Sequence, residues 1–333
     1  MKVLLYTERQ KLLKKSGLGK AIEHQIKALN FAGVEYTLNK DDDYDILHIN
    51  TYFLQSYFIA KRAKKNGKKI VYHAHSTEED YKNGFIFSNI TSKIFKKWLI
   101  KCYSLGDVIL TPTIYSKRLL CKYKGLENKR IVDISNGIEL NFFENDASLR
   151  EKFRKRFFYK ETDKIIFGIG LYIERKGILD FVELAKRLPQ YKFIWFGYSP
   201  LIFAGRRVRR AIRTQLDNLT FAGYVEPEVI KQAMNGADLY LFPTFEETEG
   251  IPIVEACACK KSAIIRDIPV FNEWLVDGEN VYKAKNLDEF ESKIKLFFEG
   301  KLKDISEKSY EVARQRDLKI IGEKLKKIYE SLI

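Results

Sequence analysis

The stretch ADLYLFPTFEETEGIPIVEACA, residues 237–258, runs from a continuous apolar segment through a carboxylate-rich loop into a helix. An uninterrupted run such as LYLF predicts a strand buried on both faces, as in a parallel sheet covered by helices. Pro252 stands in the first turn of the segment that follows, where its missing N–H costs nothing, and IVEACACK continues the helix. Strand, loop and helix in that order form the unit of a doubly wound sheet. The chain repeats it: KVLLY, YDILHIN, KKIVYHAH, DVILTP and RIVDIS in the first half, then IIFGIGL, KFIWFG, LTFAGYV, ADLYLFPT and SAIIR. The expected fold is therefore α/β, with two Rossmann-like, doubly wound parallel-sheet domains.

At 333 residues with 45% hydrophobic content, the chain is long enough for two cores. The break falls between ISNGIEL and KIIFGIG, and the charged NDASLREKFRKRFFYKETD between them reads as a linker with its own helix. The expected division is residues 1–160 and 161–314, with a C-terminal helix over 315–333 packing back on the first domain. Cys102, Cys121, Cys257 and Cys259 form no CxxC pair and have no histidine at zinc-ligand spacing, so neither a disulfide framework nor a metal site is expected. No run of about 18 apolar residues occurs, and a cytoplasmic protein is expected.

The net charge of +15 is uneven. Residues 1–140 hold 25 Lys+Arg against 14 Asp+Glu, a net of +11, leaving +4 for the rest. Such a surface suits nucleic acid, an anionic membrane or an acidic substrate, and charge alone does not choose. The acidic DDDYD at 41–45 reads as a solvated turn.

Ligands of such sheets bind beyond the C-terminal strand ends. After the first strand, KKSGLGKA places Gly17 and Gly19 at a helix start, which reads equally as a plain loop or as a ligand loop. After KKIVY stand His73 and His75, of which one reads as structural. After IIFGIGL, Arg175 and Lys176 precede Gly177 and a helix; cations there oppose the helix dipole and make sense if an anion sits between them and the helix amides. In the opening stretch, Glu247 lies in the loop and Glu255 about one turn inside the helix. Two carboxylates so spaced can accept hydrogen bonds from sugar or ribose hydroxyls while the cations hold phosphates. An acid-rich helix start, favoured by the dipole, accounts for at least one of Glu246 and Glu249.

At this point the chain resembles the GT-B glycosyltransferases of family 4. EETEGIPIVEA is similar to their E-x7-E motif, with Glu247 and Glu255 as its glutamates; GLYIERKG is similar to their G-R-L-x-x-x-K-G segment, and SNGIEL to their N-G-[IV]-D turn. Two positions depart: Leu171 stands where the family has arginine, and Glu139 where it has aspartate. The resemblance implies two domains facing across a cleft, a UDP-sugar donor held mainly by the second, and transfer with retention of anomeric configuration. It further implies no metal and no cofactor, and no D-x-D stands at a strand end. Arg175 and Lys176 would stabilise the departing diphosphate. Glu247 would position the sugar, Glu255 bind the ribose, and His75 contact the sugar from the first domain. Gly17, Gly19, Gly250 and Ile251 would complete the donor site.

Residues 85–103, FIFSNITSKIFKKWLIKCY, place Ile90, Ile94, Phe95, Trp98, Leu99 and Cys102 at helical spacing, with Lys93, Lys96, Lys97 and Lys101 largely elsewhere. Such a helix either packs on its sheet or lies on an anionic leaflet, where GRRVRRAIR at 205–213 could join it. The pattern is similar to the family's bacterial glycolipid synthases, which add glucose or galactose to a glucosyl-diacylglycerol. This implies UDP-glucose or UDP-galactose as donor, a lipid acceptor, and peripheral attachment to the inner face of the plasma membrane. Its rival within the family builds capsule or cell-wall polysaccharide on a lipid-linked acceptor. Outside the family, a dinucleotide-dependent oxidoreductase should show G-x-G-x-x-G after a strand, and a nucleic-acid-binding protein should show a binding motif; neither is present.

Overall fold

The computed structural model describes residues 1–13, 16–144 and 146–333. Lys14 and Lys15 of the loop after the first strand, and Asn145 at the head of the expected linker, lie outside the described residues. The chain divides into two compact units: residues 1–81, 90–139 and 316–333 form the first, and 82–89 with 140–315 the second.

The first unit holds a six-stranded, wholly parallel sheet of β1 (Lys2–Tyr6), β2 (Glu35–Thr37), β3 (Ile46–Ile49), β4 (Lys69–His73), β5 (Val108–Thr111) and β6 (Arg130–Asp133), in the order β2-β1-β3-β4-β5-β6. The second unit repeats the design with β7 (Ile165–Ile169), β8 (Lys192–Phe196), β9 (Leu219–Gly223), β10 (Leu239–Phe242), β11 (Ala263–Arg266) and β12 (Tyr282–Ala284), in the order β12-β11-β10-β7-β8-β9. Strands β2 and β12 escaped the sequence reading. Each is a three-residue edge strand, too short to make an apolar run.

Apolar side chains cover both faces of the first sheet. Tyr72, Leu99, Tyr103 and Tyr123 fill one side, and Val3, Leu5, Leu29, Leu325 and Tyr329 the other. That second side owes its cover to the helix Leu318–Glu330, which lies on the helix Gly17–Phe31. A Cβ at Gly322 would stand 2.1 Å from the carbonyl oxygen of Ala28, so only glycine permits this approach. In the second unit, Phe181, Phe193 and Trp195 stack edge to face at the centre of the core.

The segment read as a linker is built into the second unit. Its helix Ser148–Arg156 buries Phe153 and Arg154, and Arg154 donates to the carbonyl of Asp163 and pairs with Asp238 at 3.2 Å. The unit boundary falls at Glu139/Leu140 rather than at 160.

The helix Ser88–Tyr103 corrects the expected face. Leu99 and Cys102 are fully buried; Phe95 stacks on Tyr81 at 4.1 Å; Trp98 donates its indole N–H to the carbonyl of Tyr52 at 2.6 Å. This stripe is core. Lys96 pairs with buried Glu78 at 3.1 Å and covers the ring of Tyr123. The solvent side instead carries Ile90 and Ile94, 77% and 70% exposed, together with Lys93, Lys97 and Lys101. Among the described residues no helix is long and apolar enough to cross a membrane.

Candidate active site

Strand order reverses between β7 and β10, so the loops leaving these two neighbours open side by side. The loop after β7 turns through a 3₁₀ segment, Glu174–Lys176, to Gly177 and the helix Ile178–Arg187. Gly177 adopts φ 77°, and a Cβ there would lie 2.2 Å from the carbonyl oxygen of Pro243 in the loop after β10. Glycine therefore lets the two loops touch. Their contact is sealed by Phe245 N–H donating to the Arg175 carbonyl at 2.8 Å.

Arg175, Lys176 and Glu247, proposed from motifs 71 residues apart, meet here. Lys176 Nζ donates to Glu247 Oε1 at 2.5 Å, and Arg175 Nη1 stands 3.9 Å from Glu247 Oε2 while donating to the carbonyl of Glu246 at 2.6 Å. Thr244, a residue the sequence reading missed, adds a hydroxyl donor to Glu247 Oε1 at 2.9 Å. The carboxylate is 6% exposed. Burial pushes its pKa up, but the charges of Lys176 and Arg175 and the bonds from Lys176 and Thr244 outweigh it, and the group stays ionised below the ordinary carboxylate range. The cluster sets two cations beside one buried anion. The backbone N–H of Arg175 is held by the carbonyl of Asn83 at 3.2 Å, which ties the segment 82–89 to this loop.

Gly250 caps the helix Ile251–Ala258, with Ile251 as its first residue and Pro252 in its first turn. Glu255 is buried within that helix, and its charge and that of Glu247 both reach the fully buried Tyr240 on β10; burial first, then these carboxylates, raise the tyrosine pKa. Glu249 is also buried. Leu171, at the position where the family has arginine, sits in the same loop as Arg175.

In the first unit, His73 is buried at the end of β4 and stacks on half-buried His75, with ring centroids 3.9 Å apart. Burial lowers the His75 pKa to about 3, so the ring is neutral at physiological pH. At the helix Gly17–Phe31, Ser16 caps the start by accepting from the N–H of Gly19 at 3.2 Å. That amide is thus committed within the protein. Among the described residues, nothing lies within 4 Å of where a Cβ on Gly17 would stand.

Two parallel doubly wound units, one with a cation pair and a buried carboxylate at its topological switch point, define the class: a GT-B glycosyltransferase. The chain belongs to the glycosyl transferases group 1 family, whose model matches residues 150–316, and the model of glycosyltransferase family 4 matches residues 24–142. It is 38% identical to the processive diacylglycerol alpha-glucosyltransferase of Acholeplasma laidlawii, over 100% of this chain and 99% of that one. To the alpha-galactosylglucosyldiacylglycerol synthase of Streptococcus pneumoniae it is 25% identical, over 84% of this chain and 75% of the other. Among solved structures, Anabaena HepE in complex with UDP-glucose superposes with a TM-score of 0.80 at 17% identity, covering all of both chains. Sucrose-phosphate synthase from Thermosynechococcus elongatus superposes with a TM-score of 0.82 at 14% identity, over 100% and 99% of the two chains. These last two likenesses establish the fold.

Proposed function

We propose that the protein transfers glucose or galactose from a UDP-sugar to a membrane glycolipid such as monoglucosyl-diacylglycerol, with retention of configuration and without a metal or cofactor. The observation that carries this reading is the 38% identity, end to end, with a processive diacylglycerol alpha-glucosyltransferase. The cluster of Arg175, Lys176 and Glu247 supports it chemically. As the sugar–phosphate bond lengthens, negative charge grows on the departing diphosphate, and fixed cations stabilise that charge more than the ground state. Glu247 would then be left to orient the sugar, and Glu255 to accept from the ribose hydroxyls. Neutral His75 would take a sugar hydroxyl, with Gly17, Gly19, Gly250 and Ile251 around the donor.

The acceptor places the enzyme on the anionic inner face of the plasma membrane, as a peripheral protein. Exposed Ile90 and Ile94 beside Lys93, Lys97 and Lys101 suit that surface, as do exposed Arg206, Arg210 and Arg213. The test is incubation with UDP-glucose or UDP-galactose and vesicles containing diacylglycerol or monoglucosyl-diacylglycerol, in EDTA, followed by NMR of the product. An α-linked lipid with one more hexose is expected. Absence of any glycosylated lipid with either donor would overturn the reading.

A further inference from the structure

His75 ends a buried hydrogen-bonded chain within the first unit. Its Nε2 lies 3.1 Å from Oδ1 of Asn50, just beyond β3. Asn50 Nδ2 donates to Gln25 Oε1 at 2.7 Å, Gln25 Nε2 lies 2.8 Å from His48 Nε2, and His48 Nδ1 lies 2.6 Å from the hydroxyl of Tyr329 on the last helix. The orientation of the Asn50 and Gln25 amides sets the protons on the rings they meet. Asn50 Oδ1 can only accept, so His75 carries its proton on Nε2. Gln25 Nε2 can only donate, and because it lies 2.8 Å from His48 Nε2 against 3.2 Å from Nδ1, Nε2 is the acceptor and Nδ1 gives its proton to Tyr329. His73 Nδ1, 3.3 Å from the same His48 nitrogen, shares that acceptor as the longer, weaker donor. Among the described residues this leaves His73 Nε2 an acceptor without a protein partner, beside a cavity of about 10 Å³ lined by Gln25 and Ser135, which is space for one water.

We infer that Asn50 is a positioning residue for glycosyl transfer: by holding the Nε2 proton of His75 it presents Nδ1 as a hydrogen-bond acceptor for a hydroxyl of the transferred sugar. The inference rests on the proposed placement of His75 at the sugar. Burial agrees with it, since His48 and His75 are both lowered to about 3 and His73 well below its ordinary value, so none of the three competes as a cation. The titratable groups nearest His75 are His73, which stacks on it from β4, and His48 on β3; burial and then His75 lower the pKa of both, while its own is lowered by burial alone. His24, on the same helix as Gln25, turns away to the carbonyl of Gly137 at 2.8 Å.

The test compares the parent protein with Asn50→Asp, Asn50→Leu and His75→Ala, using UDP-glucose and vesicles of monoglucosyl-diacylglycerol. It reads kcat and KM from pH 5.5 to 8.5 and UDP affinity by calorimetry. Asn50→Asp keeps the size of the residue but adds a carboxylate that stabilises imidazolium, so kcat should fall roughly tenfold towards the acid end, where His75 gains a proton and ceases to accept. Asn50→Leu should lose kcat by about 10–100-fold at every pH, the range typical of a partner that orients a functional imidazole, with UDP affinity unchanged. A purely structural role would lower the melting temperature without creating a new acid limb. If His75→Ala is inactive while Asn50→Asp keeps the parent pH profile, the inference fails alone. If His75→Ala retains parental kcat, the placement of His75 fails and takes the inference with it. Should Asn50→Leu not fold, Asn50→Asp carries the test.

Discussion

Replacing Lys176 with Met separates the charge of that residue from its packing. The Cβ and Cγ of Lys176 lie against Gly170 at the end of β7, and methionine can keep that contact while removing the ammonium group. What remains is the Glu247 carboxylate, 6% exposed, with the Thr244 hydroxyl and with Arg175 at 3.9 Å. Breaking a buried pair by removing one partner costs about 3–5 kcal/mol, and the donors that remain favour the lower figure of about 3 kcal/mol near pH 7.5. For a unit of this size that is roughly 6–12 °C in Tm. The pH dependence gives the sign. In the parent protein the folded pKa of Glu247 is lowered, so its stabilisation is present above the unfolded value and lost as pH falls through the folded pKa. In Lys176→Met burial pushes the folded pKa upward, so the stability gap between parent and variant widens from pH 4 to pH 7.5. Thermal melts of both proteins at these two pH values measure it, with Glu247→Gln in each background as the control that abolishes the difference. An equal Tm loss at both pH values, or a pH dependence that survives Glu247→Gln, would refute the reasoning. Turnover of the same variant should drop on the order of 10²–10³-fold, as when an oxyanion donor is removed.

Glu255→Ala should chiefly weaken UDP binding in calorimetry, whereas Glu247→Ala should cut turnover with a smaller loss of UDP affinity; Glu246, whose backbone carbonyl rather than its side chain receives Arg175, should tolerate alanine better than Glu247 does. Ile90→Ser with Ile94→Ser should reduce sedimentation with anionic vesicles at all salt concentrations without moving the melt, and replacing Lys93, Lys97 and Lys101 with Ser should remove a salt-screened part worth about 1 kcal/mol per lysine. Trp98→Ser, in contrast, should lower the melting temperature, because its indole is bonded to Tyr52 within the core. Gly322→Ala should destabilise the first unit by at least about 2 kcal/mol in denaturant titration, since the added methyl must displace the Ala28 carbonyl 2.1 Å away.

Signals that live in a few neighbouring residues were legible in the chain itself. Continuous apolar runs announced ten of the strands, because a parallel strand covered on both faces has no polar positions to alternate. Gly177 and Pro252 marked where loops turn into helices, and the spacing of Glu247 and Glu255 followed from one strand–loop–helix unit. Direction and partnership were not legible. The helix Ser88–Tyr103 has apolar side chains on two stripes, and its composition does not say which stripe meets the sheet; packing of Phe95, Trp98 and Leu99 against the core decided that. Lys176 meets Glu247 only because the sheet reverses its order between β7 and β10, which brings two loops 71 positions apart into contact. The bond between His48 and Tyr329 spans 281 positions, and no local pattern encodes it. Periodicity and turn chemistry act over a few residues and can be read in order along the chain, whereas burial and the pairing of buried polar groups depend on which distant segments the fold places together.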